Sequence, residues 1–359
     1  MRKKVLILGA LVSPLIRERV RLSHKLGYEV LVLDFNSKKN HLVDENIKIK
    51  TYFDNKIISK VLTPFILLFN ILIFKPNIIH VHWALQDFNI LILMWFKNVV
   101  VSTMGSDIMP KASSNKFRKF LLILLLKNAK IITVKSSYMK RVVEDVYNIK
   151  NEKIKIIKWG LNNKFFQNYE KEDFLNLDIS KDKKIFLCLR AMQPLYRKKE
   201  IIEAFIKYKE NSNSTSVLII SKFSSNNIYL AEIEKIIYNS KYKEDIFLID
   251  GLEHFQIPKI LNFVDYIVMY PLSDGMPQSL YEAMAFGKFI IVPELNHYKE
   301  ILMHKKNAYF ANDNTLVDAF SFAENESNKF NFEKFNKKYT RYFLNQEKEL
   351  IKLKDIYEY

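Results

Sequence analysis

YIVMYPLSDGMPQSLYEAMAFGKFII, residues 266–291, is the stretch from which the fold of this chain can be read. Ile267, Val268 and Met269 form an apolar run closed by Pro271, the pattern of a buried strand. Pro277 suits the first turn of a helix, where its missing N–H costs nothing, and Gly287 suits a left-handed stop. Between them Leu280, Ala283, Met284 and Gly287 fall on one helical face, ready to pack on a sheet. Ser279, Glu282 and Phe286 share the neighbouring face. The reading is strand, tight loop, helix, strand. Free N–H groups of Gly275, Met276, Gln278 and Ser279 would then project beyond the strand end, at the place where open α/β sheets bind anions. Asp274 stands just before this point and Glu282 lies inside the helix. Carboxylates beside a bound anion are better used accepting hydrogen bonds from hydroxyls, and an anion flanked by hydroxyls describes a sugar nucleotide. The same residues also fit a plainer description, a capped helix with solvated acids.

Outward from this stretch the chain repeats short, apolar, β-branched segments. In the first half they fall at 5–8, 29–33, 78–81, 99–102, 131–134 and 154–157; in the second at 185–189, 216–220, 246–249, 267–270 and 289–292. Parallel strands buried on both faces look like this, and helical segments between them imply two doubly wound sheets. The boundary falls near Trp159-Gly160-Leu161-Asn162-Asn163, which is polar, contains glycine and precedes an acidic linker. At 359 residues, 49% hydrophobic and 14% aromatic, the chain is long enough for two domains and too apolar to be disordered. Its single cysteine, Cys188, lies in an apolar run and allows no disulfide framework, which fits a reducing cytoplasm. The basic start followed by apolar residues 5–11 superficially resembles a secretion signal. A charged amphipathic helix to Lys25, Gly27 and a second strand follow directly, however, as a first βαβ unit requires. Residues 61–74 are mostly apolar but too few to span a bilayer.

The ordered set of motifs resembles the retaining GT-B glycosyltransferases of family 4. Its mark is an acid, seven residues, Glu and an Ala-Met-Ala-x-Gly helix, here Asp274, Glu282, Ala283, Met284, Ala285 and Gly287, with Asp274 in place of the usual Glu. Lys75-Pro76-Asn77 leading to His80 and His82, Gly105-Ser106-Asp107, and Trp159-Gly160-Leu161-Asn162 resemble further family segments, in the right order. The resemblance implies two Rossmann-like domains facing a central cleft: residues 1–163 for the acceptor, 164–335 for the nucleotide sugar, and a helix at 336–359 returning to the first domain. It implies that Asp274 contacts donor-sugar hydroxyls and Glu282 the ribose, with the helix start at Gly275–Ser279, including Pro277, around the donor. It also places Arg190 and a lysine, Lys198 of the run Arg197-Lys198-Lys199, on the diphosphate. Asp274, Arg190 and Asp107 are the expected catalytic residues. Gly105, Ser106, Asp107 and His82 are expected to face the acceptor. Met104 stands where the family often has His, which removes one candidate polar group near the reacting carbon.

Guanidinium, ammonium and helix N–H groups can together replace a metal on a leaving diphosphate. No Asp-x-Asp motif is present, and no cofactor or metal is expected. His80 and His82 are taken to point to opposite faces of their strand, a poor arrangement for one metal; His80 is expected to be buried and hydrogen-bonded.

The net charge of +17 is unevenly spread: residues 1–165 hold 29 Lys and Arg against 11 Asp and Glu. An anionic partner for the N-terminal half follows. Residues 116–127, KFRKFLLILLLK, with Lys111 and Lys130 nearby, suit a helix in an anionic membrane interface, though equally a core helix with a charged start. The expectation is therefore a cytoplasmic enzyme, peripheral on the inner face of the cell membrane, that moves a sugar to a lipid-linked or polysaccharide acceptor. The alternatives are a sugar-nucleotide epimerase or hydrolase of the same fold, and a basic nucleic-acid-binding protein. Against the last stands the lack of any helix-turn-helix, zinc or RNA-recognition pattern.

Overall fold

The computed structural model describes residues 2–35, 43, 46–51, 56–109, 115–325, 327 and 330–359, with the backbone alone at 56–61. It divides into two units, Met1–Trp159 with Glu347–Tyr359, and Gly160–Gln346.

In the first unit β1 (Lys4–Leu8), α1 (Pro14–Lys25), β2 (Glu29–Asp34), β3 (Lys48–Thr51), α2 (Lys56–Phe74), β4 (Ile78–His82), α3 (Asn89–Leu93), β5 (Val99–Ser102), α4 (Lys116–Asn128), β6 (Ile131–Val134), α5 (Ser137–Tyr147) and β7 (Ile154–Ile156) follow one another. The seven strands pair in the order β3-β2-β1-β4-β5-β6-β7, all parallel, with Leu6 facing Leu31 on one side and Ile79 on the other. One face of this sheet is covered by α2, α3, α4 and α5 through Leu67, Ile71, Leu93, Leu122, Leu125 and Val143. The other face is covered by α1 and by Leu353, Ile356 and Tyr357 of the C-terminal segment.

The second unit runs β8 (Ile185–Cys188), α6 (Lys198–Glu210), β9 (Val217–Ser221), α7 (Asn227–Tyr238), β10 (Ile246–Ile249), α8 (Ile257–Phe263), β11 (Tyr266–Val268), α9 (Gln278–Ala285), β12 (Phe289–Pro293), β13 (Ala308–Ala311), α10 (Leu316–Asn325) and α11 (Phe332–Phe343). Its six parallel strands pair in the order β10-β9-β8-β11-β12-β13. α12 (Gln346–Glu358) belongs almost wholly to the first unit. There Tyr357 donates or accepts hydrogen bonds with Ser23 at 2.9 Å and His80 at 2.6 Å.

Every strand expected from the sequence is present with its ends within two residues, the largest shift being β11, which ends at Val268 rather than at 270; two edge strands, β3 and β13, are additional. The boundaries differ from the expected 163 and 335. The chain changes unit at Trp159 and Gly160, both left-handed with φ of 65° and 57°, and α11 stays with the second unit while only α12 returns. The apolar run of α4 is core, with Leu121, Leu122, Leu125 and Leu126 buried; Lys116 to Phe120 at its start and Lys127 near its end are exposed. Lys111 lies outside the described residues. Among the described residues no helix is long and apolar enough to cross a membrane.

Candidate active site

In the second unit the strand order reverses between β8 and β11. Loops leaving the carboxyl ends of those two strands diverge and open a crevice, the ligand position of doubly wound sheets. Arg190 follows β8, and residues 274–279 join β11 to α9.

The helix begins one residue later than expected. Pro277 is its N-cap residue with extended backbone (φ −72°, ψ 148°), and Met276 before it is left-handed at φ 62°. Leu280, Ala283 and Met284 are fully buried against the sheet, as the 3.6-residue period requires. At the other end Gly287, at φ 68°, permits the return into β12, and a Cβ there would lie 2.5 Å from Glu333 Cγ on α11. Gln278 and Ser279, in the first turn, leave backbone N–H groups that no helical carbonyl can reach. Gly275 differs from expectation, because its N–H donates to Asp274 Oδ1 at 2.7 Å.

Arg190 organises the crevice. Its Nη2 donates to Asp274 Oδ2 at 2.8 Å and its Nη1 to Ser279 Oγ at 3.1 Å, while the guanidinium stacks on Tyr196 at 4.5 Å. Burial pulls against its charge; Asp274, Tyr196, Tyr298 and Cys188 together outweigh that and raise its pKa. Tyr298, fully buried near Asp274, is held neutral, burial first and the Asp274 charge second pushing its pKa up.

Of the three basic residues at 197–199, only Lys198 turns inward. Arg197 is tied to Glu200 at 2.9 Å and Asp313 at 2.7 Å, and Lys199 pairs with Glu232 on the surface. Lys198 is fully buried and donates to the Ser221 carbonyl. Burial, with Arg190's charge adding to it and Cys188 opposing, pushes its pKa down to about 8.

Glu282, 6% exposed, lines a small pocket with Leu189, Arg190, Met269 and Ser279. Its Oε1 lies 3.1 Å from His254 Nε2, and Lys164 Nζ lies 3.1 Å from both His254 Nδ1 and the His254 carbonyl. An ammonium can only donate, so Nδ1 accepts and Nε2 carries the hydrogen given to Glu282. The sequence offered no sign of His254, in a loop, or of Lys164, in the 3-10 turn Asn163–Phe166, both distant from Glu282 along the chain. A larger cavity of about 500 Å³ lies elsewhere, at the amino ends of β8, β11 and β12 beside Lys184, Tyr266 and Lys288, the wrong edge for this site.

The first unit departs from expectation in three ways. Asp107 is no open acid: it is fully buried, its Oδ2 accepting from Ala84 N–H at 2.7 Å and its Oδ1 from Met104 and Gly105 N–H at 2.9 Å. The carboxylate thus clamps the loop, leaving Ser106 as the exposed member of Gly105-Ser106-Asp107. His80 and His82 do not point to opposite faces. Two residues apart on a strand share a face, and their rings lie 4.1 Å apart. His82 is also buried, with Nδ1 3.3 Å from Arg19 Nη1, so it does not reach out beside Trp83. His80 bonds Tyr357 and Ser102, and burial followed by Arg19's charge pushes its pKa down to about 3. Arg19, stacked on Trp159 at 4.3 Å, also donates to Met104 Sδ at 2.9 Å.

Two family models match the chain: Glycosyl transferases group 1 over residues 170–338 and Glycosyltransferase Family 4 over residues 15–164. Together they span most of it, and the chain belongs to this family of glycosyltransferases. No curated protein sequence matches it. Among solved structures, a glycosyltransferase from Rickettsia africae is 17% identical with a TM-score of 0.79, covering 99% of this chain and 98% of that one. Anabaena Alr3699/HepE in complex with UDP-glucose is 12% identical with a TM-score of 0.79, covering 98% of both. WaaG, a glycosyltransferase involved in lipopolysaccharide biosynthesis, is 10% identical with a TM-score of 0.76, covering 98% and 99%. The fold is GT-B, and the protein is a transferase.

Proposed function

We propose that the protein is a retaining hexosyltransferase that takes a sugar from a nucleoside-diphosphate sugar, without a metal, and passes it to a lipid-linked or polysaccharide acceptor such as a lipopolysaccharide, capsule or exopolysaccharide chain. The observation that carries this reading is the joint placement of Arg190, Asp274, Ser279 and the α9 N-terminus at the switch point, with Glu282 in the same pocket. Arg190, the charged form of Lys198 and the Gln278 and Ser279 N–H groups are donors suited to a departing diphosphate. Asp274 and Glu282 are acceptors suited to sugar and ribose hydroxyls. As the bond to the anomeric carbon breaks, negative charge grows on the leaving phosphate; these groups stabilise it there, and the phosphate oxygen takes the acceptor's hydroxyl proton. The acceptor lies with the first unit, whose basic excess suits an anionic membrane at the inner face of the cell. HepE with UDP-glucose and WaaG in lipopolysaccharide synthesis agree with a donor and an acceptor of these kinds.

Calorimetric titration of UDP, GDP, dTDP and ADP into wild type and Glu282→Ala, with EDTA present, tests the donor site. Selective binding by wild type that weakens in the variant is expected. Equal binding by both, or a requirement for added metal, would refute the assignment.

A further inference from the structure

Helix α2 is built inside out. Between residues 62 and 74 every exposed side chain is apolar: Leu62, Phe65, Phe69, Leu72 and Ile73, of which the last four are each 60–67% exposed. Its polar residues are inside: Thr63 and Asn70 are buried, and Asn70 accepts from Lys50 Nζ at 2.8 Å while donating to the Ile66 carbonyl at 2.7 Å. Spacings of three and four residues put the outer side chains on one stripe, roughly 16 Å long at 1.5 Å per residue. The stripe is one part of a wider surface. α3 packs against both α2 and α4 on the same face of the sheet. It adds Leu91 and, just past its end, Trp95, which is 85% exposed; Phe88 before it meets Phe117 of α4 with ring centres 6.3 Å apart. A soluble surface seldom leaves this much contiguous apolar side chain in water without a partner.

Charge identifies the partner. Residues 56–130 contain ten Lys and Arg but only two acids. Of those acids, Asp107 is buried in its loop and Asp87 is paired with Arg118 at 3.1 Å. Lys75 follows the end of α2, Lys97 follows Trp95, and Lys116 and Lys119 flank Phe117 and Phe120, the four lysines all exposed. Apolar and aromatic side chains fringed by lysines, with no free acid among the described residues of 56–130, match a bilayer carrying anionic headgroups: the rings enter the headgroup–acyl boundary and the ammonium groups stay at the phosphates.

We infer that the outer face of α2, with Trp95 and the first turn of α4, is a monotopic docking surface for an anionic lipid bilayer. This places membrane contact chiefly on α2, whereas the sequence pointed to α4. Its biological purpose rests on the reading of a lipid-borne acceptor, but the binding itself does not.

The test uses the full chain in flotation with phosphatidylcholine vesicles and with vesicles containing phosphatidylglycerol, at low and high salt. Wild type should bind the anionic vesicles and weaken with salt. Phe65→Ser/Phe69→Ser/Trp95→Ser should lose about tenfold or more in partitioning, and Lys116→Glu/Lys119→Glu a smaller amount that vanishes at high salt. All these positions are exposed, and unchanged circular dichroism shows that the variants remain folded. Wild type that ignores both vesicles, or an apolar variant that binds as well as wild type, would overturn the inference. So would sedimentation in which wild type is a dimer, the apolar variant a monomer and neither binds lipid, since the face would then cover a second copy. Vesicle binding without any nucleotide binding would uphold the surface while bringing down the proposed transfer.

Discussion

Arg190 and Asp274 hold each other across the switch point of the second sheet, Nη2 to Oδ2 at 2.8 Å, with both side chains mostly buried. The group suited to the diphosphate therefore orients the group suited to the sugar before any donor arrives. Such preorganisation lowers the entropy that binding must otherwise lose. Removing either partner strands a buried charge. Arg190→Ala and Asp274→Ala should each lower unfolding stability by about 3 kcal/mol, and the double variant should lose less than the sum. Chemical denaturation of the four proteins checks this; strict additivity would mean that the pair is not coupled. Asp274→Asn, which keeps the shape, should mainly reduce turnover.

Glu282 differs in having its orientation fixed by His254 and, through it, by Lys164. Glu282→Ala should weaken donor binding about ten- to hundredfold, the range for hydrogen bonds to a charged group. His254→Ala should raise the donor KM about three- to tenfold with kcat little changed, since one orienting bond contributes ~1 kcal/mol. His254→Gln, whose amide can still donate near the Nε2 position, should recover part of it. Steady-state kinetics with varied donor separates these outcomes, and a kcat effect without a KM effect would contradict the positioning role.

Lys198 gives the site a pH dependence with a definite sign. Its pKa in the folded protein is about 8, below its unfolded value of 10.5. Only the protonated amine helps hold a diphosphate, so nucleotide affinity should fall as pH rises through and beyond about 8. In Lys198→Met that fall should be absent and binding weak throughout. Stability moves the opposite way. Between about 8 and 10.5 the unfolded chain holds the extra proton, so stability rises with pH, and below about 8 the full penalty of a buried ammonium is present. Comparing denaturation of wild type and Lys198→Met across this window isolates the residue from Lys288, which burial also lowers to about 8.

Gly287→Ala should destabilise the second unit by about 2 kcal/mol. The left-handed backbone is strained for any L side chain, and the new methyl meets Glu333 on α11. Thermal unfolding measures it, and a wild-type melting temperature would show that α11 can shift at no penalty.

The sheets were legible because their central strands are buried on both faces and so are written mostly in Ile, Val and Leu. β3 was not, since Lys48-Ile49-Lys50-Thr51 alternates along an exposed edge, and Ala308-Tyr309-Phe310-Ala311 of β13 has no β-branched residue. The Asp274–Glu282 spacing marked the crevice, but nothing local distinguishes Lys198 facing inward from Lys199 facing out. Asp107 was misread because a loop acid that accepts three backbone N–H groups has the same sequence as one open to ligand. The apolar run at 61–74 likewise conceals which of its residues stay outside, because that depends on the sheet beneath them.

The return of α12 to the first unit also sets an order of events during synthesis. The second unit is one continuous piece, Gly160–Gln346, and can close as soon as it has left the ribosome. The first unit, although made earlier, waits for Tyr357 to reach Ser23 and His80 and for Leu353 and Ile356 to cover its sheet. Until then α1 alone covers that face, and the part under Leu353, Ile356 and Tyr357 is open. A nascent or truncated chain lacking residues 347–359 therefore presents a finished second unit attached to an unfinished first one, a form that chaperones and proteases can recognise.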